Sequence, residues 1–292
     1  MIENITFTSN GNKVVGELHV PGSAAPGEVL PAVVVVGPAS SVKGQVPTVY
    51  AGQLAELGYA ALAFDHSTYG ESEGWPRSDE DPFGKIEDIK NAVTFLAGHE
   101  RTDAGRLAAV GVCAGGGYAP AAAVADRRIK AVATVSGLPD LRATIEGAGD
   151  WRAIMSAAQA AREELARGGQ PTHVPFLADG NLDVWRENGK KYYLTERNKD
   201  STWRNETLLW SYDKMIGFSA LDTAHLLAPT PLLVIAGREA ETLDQSERLH
   251  ERARGPKELL LFERGTHFDF YDRPEYVGQA VAAIDEFFGG AL

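Results

Sequence analysis

The chain has 292 residues, of which 44% are hydrophobic, 23% charged and 9% aromatic, proportions that exclude a disordered or collagen-like protein. A net charge of −12 opposes binding to nucleic acid and anionic lipid, and a single cysteine excludes an internal disulfide framework. The N-terminus lacks a signal-peptide pattern, and no window reaches the roughly 18 apolar residues of a membrane span. We therefore expect a cytoplasmic protein with neither a membrane nor a nucleic-acid partner.

The first predicted element is an antiparallel hairpin. Two segments of alternating polar and apolar residues, Glu3–Thr8 and Lys13–Val20, flank the dipeptide Asn10-Gly11. This dipeptide accepts the positive φ angles of a tight hairpin turn. The hairpin is expected at the edge of a sheet.

Six continuous apolar runs follow, and each predicts a strand covered by helices on both faces. Helical patterns such as Gly84–Ala97 and Pro274–Phe288 lie between most of them. Alternation of strand and helix predicts right-handed crossovers and a mostly parallel sheet, with the ligand site beyond the carboxyl ends of the strands. The six runs are Ala32–Val36, Tyr59–Phe64, Leu107–Val112, Ile129–Val135, Leu232–Ile235 and Leu259–Phe262.

One long stretch, from Leu138 to Leu226, contains no such apolar run. It begins with an Ala/Arg/Glu-rich helical section, Trp151–Ala166, and continues with a section rich in aromatic residues. We interpret residues 138–226 as a helical cap inserted into a core that residues 1–137 and 227–292 form. The acidic run Ser78–Asp81 is expected to be a solvated loop.

Cys113 is the predicted nucleophile. It is the centre of a Gly-x-Cys-x-Gly motif between a predicted strand and the helix Tyr118–Ala125. A sharp turn from strand to helix needs glycine two positions to either side, because Cβ atoms there would collide. The turn presents the thiol at a helix N-terminus, whose dipole lowers the pKa of a thiol. The alternative is that Cys113 is a buried small hydrophobic residue.

The sequence resembles α/β-hydrolases that carry cysteine in place of the usual serine, as dienelactone hydrolases do. It is more specifically similar to YcjY-like hydrolases and fungal polyketide transferases. Besides the cysteine motif, the matching segments are Val36–Lys43, Phe64–Ser72 and Gly265–Asp272, and the similarity covers nearly the whole chain. The resemblance implies an α/β-hydrolase fold and acyl-transfer chemistry, but not a particular substrate.

A cysteine nucleophile needs a base, and the predicted base is His267. It follows the last predicted strand, and imidazole has a suitable near-neutral pKa; the resemblance implies the same assignment. The orienting acid is less obvious, because the position often occupied by Asp is Ala240. We choose Glu241, with Glu239 behind it and Asp140, after the preceding strand, as a rival.

The backbone N–H groups of Ala114 and Ala39 are the predicted oxyanion donors, with Ser40 as the next choice for the second. These residues follow two strands whose carboxyl ends should meet at the site. Ser40, His66 and Tyr69 are candidate substrate-binding residues, since they lie on loops after the first two interior strands.

Taken together, these residues predict a hydrolase that opens a carboxylic ester, lactone or thioester of a small molecule through an acyl-cysteine. One alternative is an acyltransferase or cyclase of a biosynthetic pathway that uses the same intermediate. Another is a non-catalytic ligand binder with this fold. No Walker lysine and no cluster of metal ligands occurs in the sequence, so no cofactor or metal is expected. A homodimer remains open.

Overall fold

The computed structural model describes residues 1–147, 149–177, 184–198 and 200–292. Within these ranges, eight of the strands form one sheet and two short strands form a separate pair. The strands in chain order are β1 (Ile2–Ser9), β2 (Asn12–His19), β3 (Leu30–Val36), β4 (Ala60–Phe64), β5 (Thr102–Val112), β6 (Ile129–Val135), β7 (His173–Val174), β8 (Thr207–Leu208), β9 (Leu232–Gly237) and β10 (Lys257–Phe262).

Helices connect most of these strands. Two short 3₁₀ helices, Ala220–Asp222 and Ala224–Leu226, precede β9. The α-helices are α1 (Val46–Glu56), α2 (Pro82–Gly98), α3 (Gly115–Ala125), α4 (Leu141–Gly147), α5 (Trp151–Ala166), α6 (Val184–Tyr193), α7 (Ser211–Met215), α8 (Leu243–Arg252), α9 (Asp269–Asp272) and α10 (Pro274–Gly289). None of the helices in the described ranges is long and apolar enough to cross a membrane.

The main sheet has the strand order β1-β2-β4-β3-β5-β6-β9-β10. The last six strands in this order, β4-β3-β5-β6-β9-β10, pair in parallel. The pairs β1 with β2 and β2 with β4 are antiparallel. Asn10 and Gly11 have φ angles of 48° and 81°, as the predicted hairpin turn requires. The α/β-hydrolase fold with an N-terminal antiparallel hairpin is thereby confirmed.

The interior strands are buried on both faces, as their apolar runs predict. In β3, β4 and β6 nearly every residue is buried. The sixth run differs, because β10 is an edge strand whose residues are exposed or half-buried, with Leu260 37% exposed. The interpretation of Leu259–Phe262 as a strand covered on both faces is therefore wrong. An apolar run alone does not distinguish an edge strand from an interior one.

In the described ranges, the chain between β6 and β9 folds as α4 to α7, the short antiparallel pair of β7 with β8, and the two 3₁₀ helices. Several apolar side chains of this segment lie over the carboxyl end of the sheet and line a cavity there. They are Leu141, Phe176, Trp185, Tyr193, Tyr212 and Met215.

Candidate active site

Cys113 lies in a strained turn between β5 and α3. Its φ angle is +57°, a left-handed conformation that is uncommon for residues other than glycine. A Cβ atom on Gly111 would lie 2.1 Å from the carbonyl oxygen of Gly115, and one on Gly115 would lie 2.3 Å from that of Val36. The motif glycines are thus required because backbone segments approach closely at this turn.

The Cys113 thiol is buried at the wall of a cavity of about 100 Å³. Burial raises its pKa to about 11, because a thiolate loses hydration there. The Tyr271 hydroxyl and the backbone N–H groups of Ala114 and Ala39 lie near the sulfur and lower its pKa, but they do not offset burial. The expectation that the helix N-terminus lowers the pKa of this thiol below its usual value is wrong for this resting state.

His267 is fully buried in the loop between β10 and α9. Its Nδ1 lies 2.7 Å from the Thr242 hydroxyl, and its Nε2 lies 3.1 Å from the Tyr271 hydroxyl. Burial lowers the pKa of His267 to about 3, so the ring is neutral near pH 7. The Tyr271 hydroxyl contacts both the imidazole and the Cys113 sulfur, and no direct bond between those two groups is found in the described part of the chain.

Glu241 lies beside His267 but contacts its backbone. One carboxylate oxygen accepts from the His267 N–H at 3.2 Å, and the other accepts from the Asn188 side chain at 2.6 Å. The hydroxyl of the neighbouring Thr242 instead forms a hydrogen bond with Nδ1 of the ring. In a catalytic triad, the acid forms that bond.

The two other carboxylates considered for the triad are bound elsewhere. Asp140 lies just before α4, where Oδ1 accepts from the Ala143 N–H at 3.2 Å and Oδ2 lies 3.1 Å from the Arg248 guanidinium. Glu239 pairs with Arg264 at 3.3 Å. In the described residues, neither carboxylate hydrogen-bonds to the imidazole.

The three candidate substrate-binding residues, Ser40, His66 and Tyr69, are not among the residues that line the cavity. The Ser40 N–H and the Tyr69 hydroxyl donate to Glu80 at 2.8 and 2.9 Å. Nδ1 of His66 lies 3.1 Å from a carboxylate oxygen of Asp88. Their polar groups therefore serve the surrounding loops in this structure.

Glu80 is a site residue that sequence reasoning missed. It is 2% exposed, lines the cavity and forms an ion pair with the equally buried Lys85 at 2.7 Å. Burial favours the protonated carboxyl, but Lys85, the Tyr118 hydroxyl and the Ser40 N–H together lower the pKa of Glu80. The interpretation of Ser78–Asp81 as a solvated loop is wrong at Ser78 and Glu80, which are both buried. A run of polar residues does not indicate which distant side chains it will contact.

Tyr271 and Thr242 were also missed, although each had a weak signal. Tyr271 follows His267 by four residues, a spacing that brings side chains together at the start of α9. Thr242 directly follows Glu241, and its position just before α8 marks it as a helix-capping residue, yet its hydroxyl makes no cap bond and bonds the imidazole.

Comparison with known proteins agrees with this architecture. Residues 29–280 match the alpha/beta hydrolase family. The chain is 30% identical to the protein YcjY of Escherichia coli over all of both chains, and 30% identical to the thiohydrolase aneE of Aspergillus aculeatus, covering 89% of this chain and 84% of that protein. The crystal structure of PA2218 from Pseudomonas aeruginosa has a TM-score of 0.93 at 29% identity and covers all of this chain and 94% of that one.

Less similar proteins agree with the predicted resemblance. Fungal relatives named polyketide transferase and acyltransferase are 24% and 26% identical over 74% and 79% of this chain, and 73% and 77% of those proteins. A dienelactone hydrolase of Anabaena variabilis shares the fold, with a TM-score of 0.62 at 14% identity. An enzyme of hydrolase or acyltransferase type is thus supported by family and by named relatives, and the chain belongs to the alpha/beta hydrolase family.

Proposed function

We propose that this protein hydrolyses short acyl thioesters or esters through an acyl-cysteine at Cys113, with His267 as the base. The observation that carries the proposal is the convergence on one sulfur atom of two backbone N–H groups, from Ala39 and Ala114, and of the Tyr271 hydroxyl that also bonds His267. Relatives named thiohydrolase favour a thioester. The described residues within 138–226 act as the cap over this site.

The first step is attack by sulfur. The resting thiol and imidazole are both neutral, so the thiol proton passes to the Tyr271 oxygen while the Tyr271 proton passes to Nε2 of His267. The sulfur then bonds to the substrate carbonyl carbon, and the carbonyl oxygen becomes an oxyanion that accepts from the Ala39 and Ala114 N–H groups. One such donor contributes about 3 kcal/mol in comparable sites.

The second step releases the leaving group. The oxyanion collapses, the bond between the acyl carbon and the leaving sulfur or oxygen breaks, and the proton held by His267 returns through Tyr271 to the departing atom. Water then gives a proton to His267 and attacks the acyl carbon. The bond between that carbon and the Cys113 sulfur breaks, and the proton returns from His267 through Tyr271 to the sulfur, so that the acid and the free thiol are formed. Throughout, the Nδ1 proton of His267 donates to Thr242, and Glu241 holds the His267 backbone.

The cavity size limits the acyl group. Its volume of about 100 Å³ is smaller than the roughly 150 Å³ of an engineered cavity that holds benzene. An acyl chain of about four carbons fits that space without rearrangement of the cap. The proposed substrates are accordingly short acyl derivatives.

Mass spectrometry after mixing with p-nitrophenyl butanoate tests the proposal. We expect a butanoyl adduct on Cys113 that forms in a burst and decays with steady hydrolysis. Cys113→Ala should abolish the adduct, and Cys113→Ser, which keeps a nucleophilic atom in the same turn, should retain weak turnover. Hydrolysis at the normal rate by Cys113→Ala, or an adduct on another residue, would contradict the assignment.

Acyl transfer is the second candidate, and the burial of Cys113 under an aromatic cap favours it. An acyl chain that fills the cavity leaves little room there for water, which protects the acyl-cysteine from hydrolysis. Relatives named polyketide transferase and acyltransferase also favour acyl transfer. Product analysis with added alcohols or amines separates the candidates, because hydrolysis alone in every mixture argues for the hydrolase.

A further inference from the structure

The side chain of Arg197 joins the cap to the short segment that carries His267 and Tyr271. Its Nε and Nη2 donate to the two carboxylate oxygens of Asp272 at 3.0 and 2.5 Å, and Nη2 also donates to the Phe268 carbonyl at 2.9 Å. Phe268 directly follows His267, and Asp272 directly follows Tyr271. One guanidinium therefore holds the neighbours of both groups in the proposed proton route.

This segment has little structure of its own to fix the two groups. The helix α9 has only four residues, too few to be stable by its own hydrogen bonds. The core supplies outside contacts, among them the buried Tyr50 hydroxyl, which donates to the Phe270 carbonyl at 2.7 Å. Arg197 supplies contacts from the cap, and its planar guanidinium fixes the geometry of the groups that it binds. The Arg197 and Asp272 side chains are 21% and 22% exposed, so water screens their ion pair only in part.

Arg197 also takes part in the aromatic contact between the cap and this segment. Its guanidinium carbon lies 5.3 Å from the ring centroid of Tyr192, and that ring lies 4.9 Å from the ring of Tyr271. Tyr192 and Trp185 both belong to α6, and the Trp185 ring lies 6.1 Å from the imidazole of His267. Displacement of α6 from this segment would therefore disturb the guanidinium bonds together with the ring contacts.

We infer that Arg197 is a positioning residue, which keeps the Tyr271 hydroxyl and the His267 imidazole at the separation that the proposed proton transfer needs. Arg197 is not among the residues that line the cavity, so it acts through these two groups. A displacement of about 1 Å at a reacting group can lower the rate about 10²-fold. The catalytic consequence rests on the proposed function, whereas the effect on the segment can be measured without turnover.

Arg197→Met tests the inference, because it removes the guanidinium and keeps a flexible side chain against Tyr192. In single turnovers of p-nitrophenyl butanoate with protein in excess, we expect the maximal rate constant of p-nitrophenol release to fall on the order of 10- to 100-fold. A misfolded fraction would instead raise the half-saturating protein concentration and leave the maximal rate constant unchanged. Arg197→Lys keeps a charge for Asp272 and should recover part of the loss. Asp272→Asn leaves the bond from Arg197 to Phe268 and should lose less than Arg197→Met.

Arg162→Met is the matched control. The Arg162 guanidinium also donates twice to one carboxylate, that of Asp213 at 2.7 and 2.9 Å, and it lies 5.2 Å from the ring centroid of Trp210. This pair joins α5 to α7 within the cap. Its loss should leave the maximal rate constant near the wild-type value.

Amide hydrogen exchange of the ligand-free protein tests the same inference without a substrate. Peptides that cover residues 266–272 should exchange faster in Arg197→Met than in wild type, while the turn at Cys113 should keep its wild-type exchange. Arg162→Met should leave the exchange of residues 266–272 unchanged. If the wild-type protein acylates with no substrate but this exchange pattern appears, the hydrolase is refuted and the role of Arg197 in holding the segment is supported.

Two results would overturn the inference. One is a maximal rate constant in Arg197→Met that equals the value of wild type or of Arg162→Met. The other is exchange that rises uniformly along the whole chain of Arg197→Met, because Arg197 would then contribute to global stability and not to the position of this segment.

Discussion

At the scale of single residues, the proposed nucleophile and base are both neutral in the resting site. Burial raises the pKa of Cys113 to about 11 and lowers that of His267 to about 3, so a thiol faces a neutral imidazole near pH 7. An ion pair of thiolate and imidazolium is thus disfavoured until substrate arrives. In the proposed mechanism the proton crosses Tyr271, whose hydroxyl is near both groups.

We therefore predict that Tyr271→Phe lowers kcat for thioester hydrolysis by about 10²- to 10⁴-fold, the usual contribution of a proton-transfer group. The change removes the only hydroxyl found in contact with both the sulfur and the imidazole in the described structure. Acylation rates measured by stopped flow over a range of pH should show the defect in the acylation step.

Tyr192→Phe is the matched control for this prediction. Tyr192 packs against Tyr271 with ring centroids 4.9 Å apart, so its variant removes a hydroxyl from the same aromatic cluster. It should retain most of the activity. Near-normal acylation by Tyr271→Phe, with the pH profile unchanged, would show that the thiol proton takes another route.

At the scale of elements, the loop after β3, which carries the proposed oxyanion donor Ala39, is held by a buried ion pair. Ser40, next to the proposed donor Ala39, has a φ angle of +57° and donates its N–H to Glu80. Glu80 is in turn held by Lys85 from α2, and the side chains of this pair are each 2% exposed. The segment from Glu80 to α2 thus fixes the backbone that presents the Ala39 N–H.

We predict that Glu80→Gln lowers the free energy of unfolding by about 3–5 kcal/mol, because it leaves the Lys85 ammonium buried without a counter-charge. Urea denaturation measures the loss, and the double variant Glu80→Gln/Lys85→Met should recover part of it. The half-exposed pair Arg162–Asp213 provides the comparison, and Asp213→Asn should cost less than about 1 kcal/mol. Equal losses for the buried and half-exposed pairs would refute this role for Glu80.

The sequence predicts those features of the site that depend on neighbouring residues, and it does not predict those that depend on distant ones. The turn at Cys113 is predictable, because its glycines and flanking apolar run are local features of the chain. The roles of Glu80 and Thr242 are not, since each depends on side chains more than 20 residues away, such as Tyr118 and His267. Burial of the thiol is equally hidden, because it depends on how the aromatic segment folds over the sheet.

At the scale of the whole molecule, the parallel sheet collects the site from distant parts of the sequence. Ala39 follows β3, Cys113 follows β5, Thr242 follows β9, and His267 and Tyr271 follow β10. The carboxyl ends of these parallel strands share one edge, so the loops after them bring these five residues together. Folding therefore buries His267 as a neutral ring, and its protonation is coupled to global stability.

That coupling gives a prediction with a definite sign. The folded pKa of His267, about 3, lies below the ordinary value of 6.5, so the unfolded chain binds this proton more readily. The stability that neutral His267 contributes is complete above pH 6.5 and is lost as the pH falls toward 3. Each pH unit in that window should cost up to about 1.4 kcal/mol from this group.

Chemical denaturation of wild-type protein and His267→Gln at several pH values between 7 and 3 measures the effect. Carboxylates titrate in the same window in both proteins, so the difference between the two curves isolates His267. We expect the variant to lose stability less steeply with acid, whereas His225→Gln, at an exposed position, should follow the wild-type curve. Parallel curves for wild type and His267→Gln would mean that the imidazole is protonated as easily in the folded protein as in the unfolded chain, and the neutral resting pair on which the proposed proton route depends would have to be abandoned.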